Sequence, residues 1–200
     1  MGHSQAEKAE THQRIVATAS KKFRENGLDG IGVSDLMKAA GTTAGGFYKH
    51  FESRDDLVAE AVGAAFGAFD ARVKEGVAKN RPVTFQHLLT EYLEVEHRDN
   101  PGEGCPFVAL SSDLARSDRR TRSIATVQLA HTLELLTNLL GGGTAARTDA
   151  IVAYSAMIGA VGLARLANDD ALSREILTRT HSALTQLTSA KKKRSAARRD

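Results

Sequence analysis

The sequence predicts an all-α protein, with a three-helix N-terminal helix-turn-helix head on a larger helical body. Three observations carry that expectation. Apolar residues recur at helical spacing along the 200 residues; no segment alternates with period two over a strand's length; and glycines stand where helical stripes stop, at Gly27, Gly41 and Gly141 to Gly143.

The elements follow in order. Ile15, Val16, Ala19 and Phe23 share one face of a first helix, largely opposite Arg14, Lys21, Lys22, Arg24 and Glu25, and Asn26-Gly27 stops it. Val33, Leu36, Met37 and Ala40 give a second, short helix ended by Gly41. A third begins within two or three residues, with Phe47 and Phe51 one turn apart. Glu52-Ser53 breaks it before a long fourth helix with Leu57, Val58, Ala61, Val62 and Phe66 on one stripe. Leu88, Leu89, Tyr92 and Val95 continue the helical pattern up to a turn-rich stretch, Asn100 to Gly104. Further helices are expected over Phe107 to Leu114, from about Thr121 to Leu140, and near 148–168 and 172–188. Residues 190–200 are Lys, Arg, Ser and Ala before a final Asp, and lack the apolar surface to pack. The expected organisation is a head over 1–54, with roughly ten flexible leading residues, a body over 55–189 and a disordered basic tail over 190–200.

Composition narrows the class. With 42% hydrophobic and 26% charged residues the chain is an ordinary globular one, not a disordered or fibrous protein. A single cysteine, Cys105, excludes an internal disulfide framework and a multi-cysteine zinc site, so a reducing cytoplasm is the expected location. No leader with a basic and then an apolar region opens the sequence. The apolar run Ile151 to Ala164 is shorter than the roughly 18 residues of a spanning helix, so no membrane association is expected. Charge separates along the chain: residues 1–54 hold 8 basic against 6 acidic residues, and 55–190 hold 13 against 17. A basic head before an acidic body fits a nucleic-acid-contacting head.

The most specific signal lies between Gly27 and Leu57. Two short amphipathic helices separated by a glycine turn suit a helix-turn-helix, in which the second helix enters the major groove by its N-terminal residues. Gly41 permits the turn, Thr42 and Thr43 offer caps and hydroxyls, and Phe47 and Phe51 anchor the inner face. The outer face then holds Thr43, Gly46, Lys49 and His50. On spacing alone Tyr48 is also readable as a core aromatic and His50 as a structural or solvated residue.

The stretch Ala39-Ala40-Gly41-Thr42-Thr43-Ala44-Gly45-Gly46-Phe47-Tyr48-Lys49-His50-Phe51-Glu52-Ser53-Arg54-Asp55-Asp56-Leu57 resembles the signature of TetR/AcrR transcriptional regulators. Ile15 to Ala19, Phe23, Gly27 and Val33 to Leu36 are similar to the same family's first two helices, so the resemblance covers about residues 12–60. It implies an all-helical homodimer with a DNA-binding head and a ligand-binding, dimerising body, most often a repressor that leaves its operator when a small molecule binds. Carried onto this sequence, it puts Thr42 and Thr43 at the entry to the recognition helix, Gly45 where backbone nears the duplex, and Tyr48, His50 and Arg54 on phosphates. The chemistry agrees: a phenol or imidazole donates to a phosphate oxygen, an arginine binds one bidentately, and Lys49 reaches backbone or a base edge. Gly32 departs from the Ser or Thr usual at the second helix's cap, with Ser34 a replacement contact. Ala44 and Gly46 are small, which shifts operator choice toward DNA shape.

In the body, Ile151 to Ala164 is apolar nearly all round and needs cover on several sides. The resemblance implies that the last two helices form a four-helix dimer interface, through Ile151, Tyr154, Ile158, Gly159, Gly162, Leu172, Ile176 and Leu184. A core within one protomer is the alternative. Two-fold symmetry predicts a roughly palindromic operator.

The effector is unknown, and its candidate contacts are Phe66, Tyr92, Phe107 and Leu133, each of which is also plausible core. Cys105, near His97 and Arg98 in sequence, is a candidate oxidant- or electrophile-sensing thiol, or a buried residue at a helix start. His97 with Cys105 makes only a weak metal pair, and neither metal nor cofactor is expected. Enzyme classes lack support: no phosphate-cradling loop, nucleophile elbow or paired-histidine zinc pattern occurs. A helical scaffold without DNA binding would leave the Thr42 to Arg54 pattern unexplained.

Overall fold

The computed structural model describes residues 5–78 and 83–196. Among these residues the regular structure is helical, with no strand: α1 (Gln5–Asn26), α2 (Val33–Ala39), a 3-10 helix (Ala44–Lys49), α3 (Arg54–Ala78), α4 (Phe85–Tyr92), α5 (Val95–Asp99), α6 (Pro106–Arg116), α7 (Arg119–Leu139), α8 (Gly143–Leu166) and α9 (Asp170–Ala196). The all-α expectation holds. In the body, Val95 opens a separate helix after a break at Leu93-Glu94, and α9 continues to Ala196, past the end expected near 188. The rest of the expected tail, 197–200, lies outside the described residues.

The chain forms two compact units, Met1–Lys74 with Pro101–Gln128, and Glu75–Asn100 with Leu129–Asp200. The first unit thus runs past residue 54 and takes in a distant stretch of sequence. Its core gathers Ile15, Ala19, Phe23, Leu36, Met37, Phe47, Phe51, Leu57 and Val62, all nearly inaccessible to solvent. Phe66 of α3 and Phe107 of α6 join it, with ring centroids 4.7 Å apart.

Polar contacts fasten the 101–128 stretch to the N-terminal helices. The buried Arg24 donates through Nη1 to the Gly104 carbonyl at 3.1 Å, Lys21 pairs with Glu103 at 2.9 Å, and the Asp113 carboxylate accepts from the Leu28 N–H at 3.1 Å. Arg120, at the start of α7, pairs with Asp56 of α3. Gly102 packs so closely on α1 that an added Cβ would stand 2.6 Å from Glu25 Oε1.

In the second unit α8 packs along α9, and α5 packs on α8. Small residues make this close approach possible, with Ala146, Ala150, Ala153, Ala160 and Ala164 buried beside Tyr154, Met157 and Val161. A polar clasp holds the α5 end. Arg98 donates through Nη1 to Asp170 and to Ser173 Oγ, and Arg165 donates to the carbonyls of His97 and Arg98, each at 2.8 Å. A cleft of about 350 Å³ beside this clasp is lined by the same charged groups, which already satisfy one another. By length and composition α8 is the one described helix able to cross a membrane, which the shorter apolar run in the sequence did not suggest. One of its faces is nonetheless spent on α9 and α5.

Candidate nucleic-acid interface

Local sequence shapes the helix-turn-helix from its start. Gly32, extended at φ −77° and ψ 158°, precedes α2 without a side-chain cap, and its carbonyl accepts from the Leu36 N–H at 3.0 Å. Leu36 and Met37 are buried, while Ser34 is exposed. At the other end Gly41 adopts φ +70°. Its N–H donates to the Lys38 carbonyl and that of Thr42 to Met37, both at 3.0 Å, which is the paired bonding of a Schellman stop. A side chain with a Cβ is strained there, so Gly41 sets the turn.

Thr43 then stands extended before the 3-10 helix, and its hydroxyl makes no cap bond to the helix N–H groups, contrary to the capping expectation. The recognition stretch is a six-residue 3-10 helix rather than an α-helix. Gly45-Gly46 explains this: adjacent glycines hold helical backbone poorly, and a short run favours the tighter hydrogen bonding. Phe47 turns inward, and its carbonyl receives the N–H groups of His50 and Phe51 at 2.9 and 3.1 Å. Thr43, Ala44, Gly45, Tyr48 and Lys49 lie on the surface, with Thr42, Gly46 and His50 half-buried beside them. Tyr48, 81% exposed, is not a core aromatic, and its ring meets Phe47 edge-on at 5.2 Å.

His50 is different in character. Its Nδ1 is buried with no hydrogen-bond partner, and burial, then the charges of His12, Lys8 and Lys49, hold the imidazole below its ordinary range. His12 reaches over from α1, stacks on Phe51 and bonds Glu60 Oε2 at 2.7 Å.

Arg54 departs from the expected free phosphate ligand. Its Nη2 donates to the Leu28 carbonyl, its Nη1 lies 3.3 Å from Asp29 Oδ1, and the guanidinium sits 5.7 Å from the Phe23 ring centre. The sequence offered no sign of these partners, nor of Asp113, because each contact joins residues far apart in the chain. Ser53, read only as a break, caps α3 by accepting from the Asp56 N–H at 3.1 Å. Its spacing from Asp56 was the available signal.

The other candidates scatter. Cys105 is buried and precedes Pro106 at the start of α6, matching the helix-start reading. Phe66 and Phe107 pack on each other, Leu133 is half-buried, and Tyr92 meets His97 at 4.6 Å and Tyr154 at 6.2 Å. His97 Nδ1 donates to the Tyr92 carbonyl at 2.6 Å. Among the described residues no three His, Cys, Asp or Glu side chains group closely enough to hold a metal ion. Of the expected dimer residues, Ile151, Gly159 and Leu172 are exposed and Ile158, Gly162 and Ile176 half-buried. Tyr154 and Leu184, only 6% exposed, instead belong to the protomer's own core. An all-round apolar helix does not reveal in its sequence which face turns inward.

A glycine-turned pair of short helices with a solvent-facing second element defines a helix-turn-helix protein. Residues 15–61 match the profile of the bacterial regulatory proteins of the tetR family. The match lies over the helix-turn-helix and the helices that flank it. It is 23% identical over 137 residues to the HTH-type transcriptional repressor NemR of Escherichia coli K12, covering 67% of this chain and 69% of that one. The solved reduced form of E. coli NemR superimposes with a TM-score of 0.72 at 21% identity, over 88% of this chain and 95% of that one. A TetR-family regulator from Cytophaga hutchinsonii gives 0.73 at 18% identity, over 92% and 97%.

Proposed function

We propose that this chain is a homodimeric, cytoplasmic transcriptional repressor that binds a palindromic operator and releases it when an effector binds its body. The observation that carries the reading is the contiguous surface from Thr42 to His50. There a glycine-lined backbone, open around Gly45, stands beside the exposed Tyr48 and Lys49. Small side chains at Ala44, Gly45 and Gly46 let backbone approach the duplex, Thr42, Thr43, Tyr48 and His50 hydrogen-bond phosphate oxygens, and Lys49 reaches backbone or base. Ser34, on the surface of α2, serves a flanking phosphate. The outward apolar residues of α8, among them Ile151, Val152, Leu163 and Leu166, support pairing with a second copy.

For the effector, a thiol mechanism has one specific support. Cys105 follows the Gly104 carbonyl held by Arg24, so a change at its sulfur falls beside a contact to α1. The relative solved as a reduced form is consistent with such chemistry. The test is titration of the wild type against genomic DNA fragments at physiological salt, with and without diamide. Strong binding to a few fragments supports the repressor, and its loss under diamide supports Cys105. Equal affinity for all fragments would sink the reading.

A further inference from the structure

Leu28 lies in the loop joining α1 to α2, and both polar ends of its backbone are held by charged side chains from elsewhere. Its N–H donates to Asp113 Oδ2 of α6 at 3.1 Å, and its carbonyl accepts from Arg54 at the first position of α3. The side chain between them is buried, 6% exposed. Asp113 stands where Gly27, at φ +81°, leaves space; a Cβ there would meet the carboxylate oxygen at 3.3 Å. The Arg54 guanidinium also faces the exposed Asp29 and lies over the Phe23 ring, so three groups of the protein already engage a side chain that is one-third exposed.

We propose that Asp113 and Arg54 are positioning residues for operator binding, acting on the helix-turn-helix through the backbone of Leu28 rather than through a phosphate. The recognition stretch hangs between two anchors in the chain. The loop at Leu28 leads into α2 ahead of it, and Arg54 follows Phe51 by three residues. Fixing Leu28 to Arg54 closes that segment into a loop of set dimensions, and Asp113 ties the closure to α6. A charged acceptor on a backbone N–H and a charged donor on a carbonyl are each stronger than a neutral pair, which suits a rigid closure. Asp113 also carries Arg116 at 2.7 Å, which orients its carboxylate.

The inference rests on the operator-binding reading above and is tested with an operator fragment selected by the wild type. Operator affinity is measured against salt for the wild type, Arg54→Ala, Arg54→Lys, Asp113→Ala, Asp113→Asn and the Arg54→Ala/Asp113→Ala double variant, each checked for native helicity. The expected losses are about tenfold for either alanine variant and no greater for the double, since both act on one element. Arg54→Lys, which keeps the charge without the fork, loses about as much as alanine. Asp113→Asn, which keeps an acceptor, returns to within about threefold of wild type. The slope of log affinity against log salt stays that of the wild type in every variant. A slope smaller by about 1 in Arg54→Ala would mark a phosphate contact and overturn the proposal. So would losses that multiply in the double variant, or wild-type affinity in Asp113→Ala. Where an alanine variant loses its helicity, Arg54→Lys and Asp113→Asn decide. A wild type that selects no fragment overturns the regulator reading itself.

Discussion

His12 stacks on Phe51, with ring centroids 4.6 Å apart and 28° between the planes, and so joins α1 to the chain leaving the recognition stretch. Phe51 is also 5.5 Å from the Phe47 ring and 2% exposed, so it closes the core beneath the exposed edge. Phe51→Ala is expected to destabilise the protein by about 3–5 kcal/mol, whereas Phe51→Leu, nearer in volume, costs less than about 1.5 kcal/mol. Urea titration followed by circular dichroism measures both. Equal losses would mean that the site collapses around the missing ring.

Acid should loosen the same region. Unfolded, His50 takes a proton near its ordinary value of 6.5, while in the fold burial lowers that value. Between the two, the unfolded chain binds more protons, so this contribution to stability is full above the ordinary value and is lost as pH falls below it. Urea midpoints of the wild type should therefore fall from pH 7 to 5 more steeply than those of His50→Gln. Parallel profiles would show that another group carries the acid response.

Gly45 and Gly30 make a contrasting pair. A Cβ on Gly45 meets nothing within 4 Å, whereas one on Gly30 would lie 1.9 Å from the Asn26 carbonyl oxygen. Gly30→Ala is expected to destabilise by at least about 1–3 kcal/mol, the scale of overpacking. Gly45→Ala should keep or raise the melting temperature, by up to about 1 kcal/mol of stability, yet weaken operator binding because the added methyl faces the duplex. Unchanged operator affinity in Gly45→Ala would remove that residue from the contact surface.

Much of this was legible in the sequence where a residue's role is local. Gly41 announced the turn because only its φ +70° completes the stop of α2, and the helical stripes marked Ile15, Phe23, Leu36 and Phe47 as core. The 3-10 form of the recognition stretch was hidden, since Phe47 and Phe51 fit an α-helical turn as well. So were the partners of Arg54, Arg24 and Asp113. Their contacts span from 26 to 85 residues of chain, and no periodicity encodes them. Tyr154 and Leu184 looked like interface residues because apolar character alone does not separate a protomer's core from a face awaiting a partner.

That face gives a further expectation. Leu163 is 55% and Leu166 80% exposed on α8, so a charge there disturbs little within the protomer. If the proposed homodimer pairs through this face, the wild type should sediment as a dimer at micromolar concentration and Leu163→Glu, with its helicity kept, as a monomer. A variant that sediments as the wild type would place the dimer contact elsewhere.

Cys105→Ser should leave operator affinity within about twofold, because the side chain is buried away from the Thr42 to His50 surface in sequence and the hydroxyl is close to the thiol in size. Release of the operator by diamide should disappear in this variant. Release that persists would assign the effector to another site.

On the function proposed above, the Thr42 to His50 surface is expected to read DNA as one half of a symmetric pair. Repeated selection from a random-sequence duplex library at physiological salt tests it most directly, with the wild type and a Tyr48→Ala/Lys49→Ala variant run in parallel. The expected result is a near-palindrome enriched by the wild type and lost with the variant. Enrichment of the same sequence by both proteins, or of none by the wild type, would contradict it.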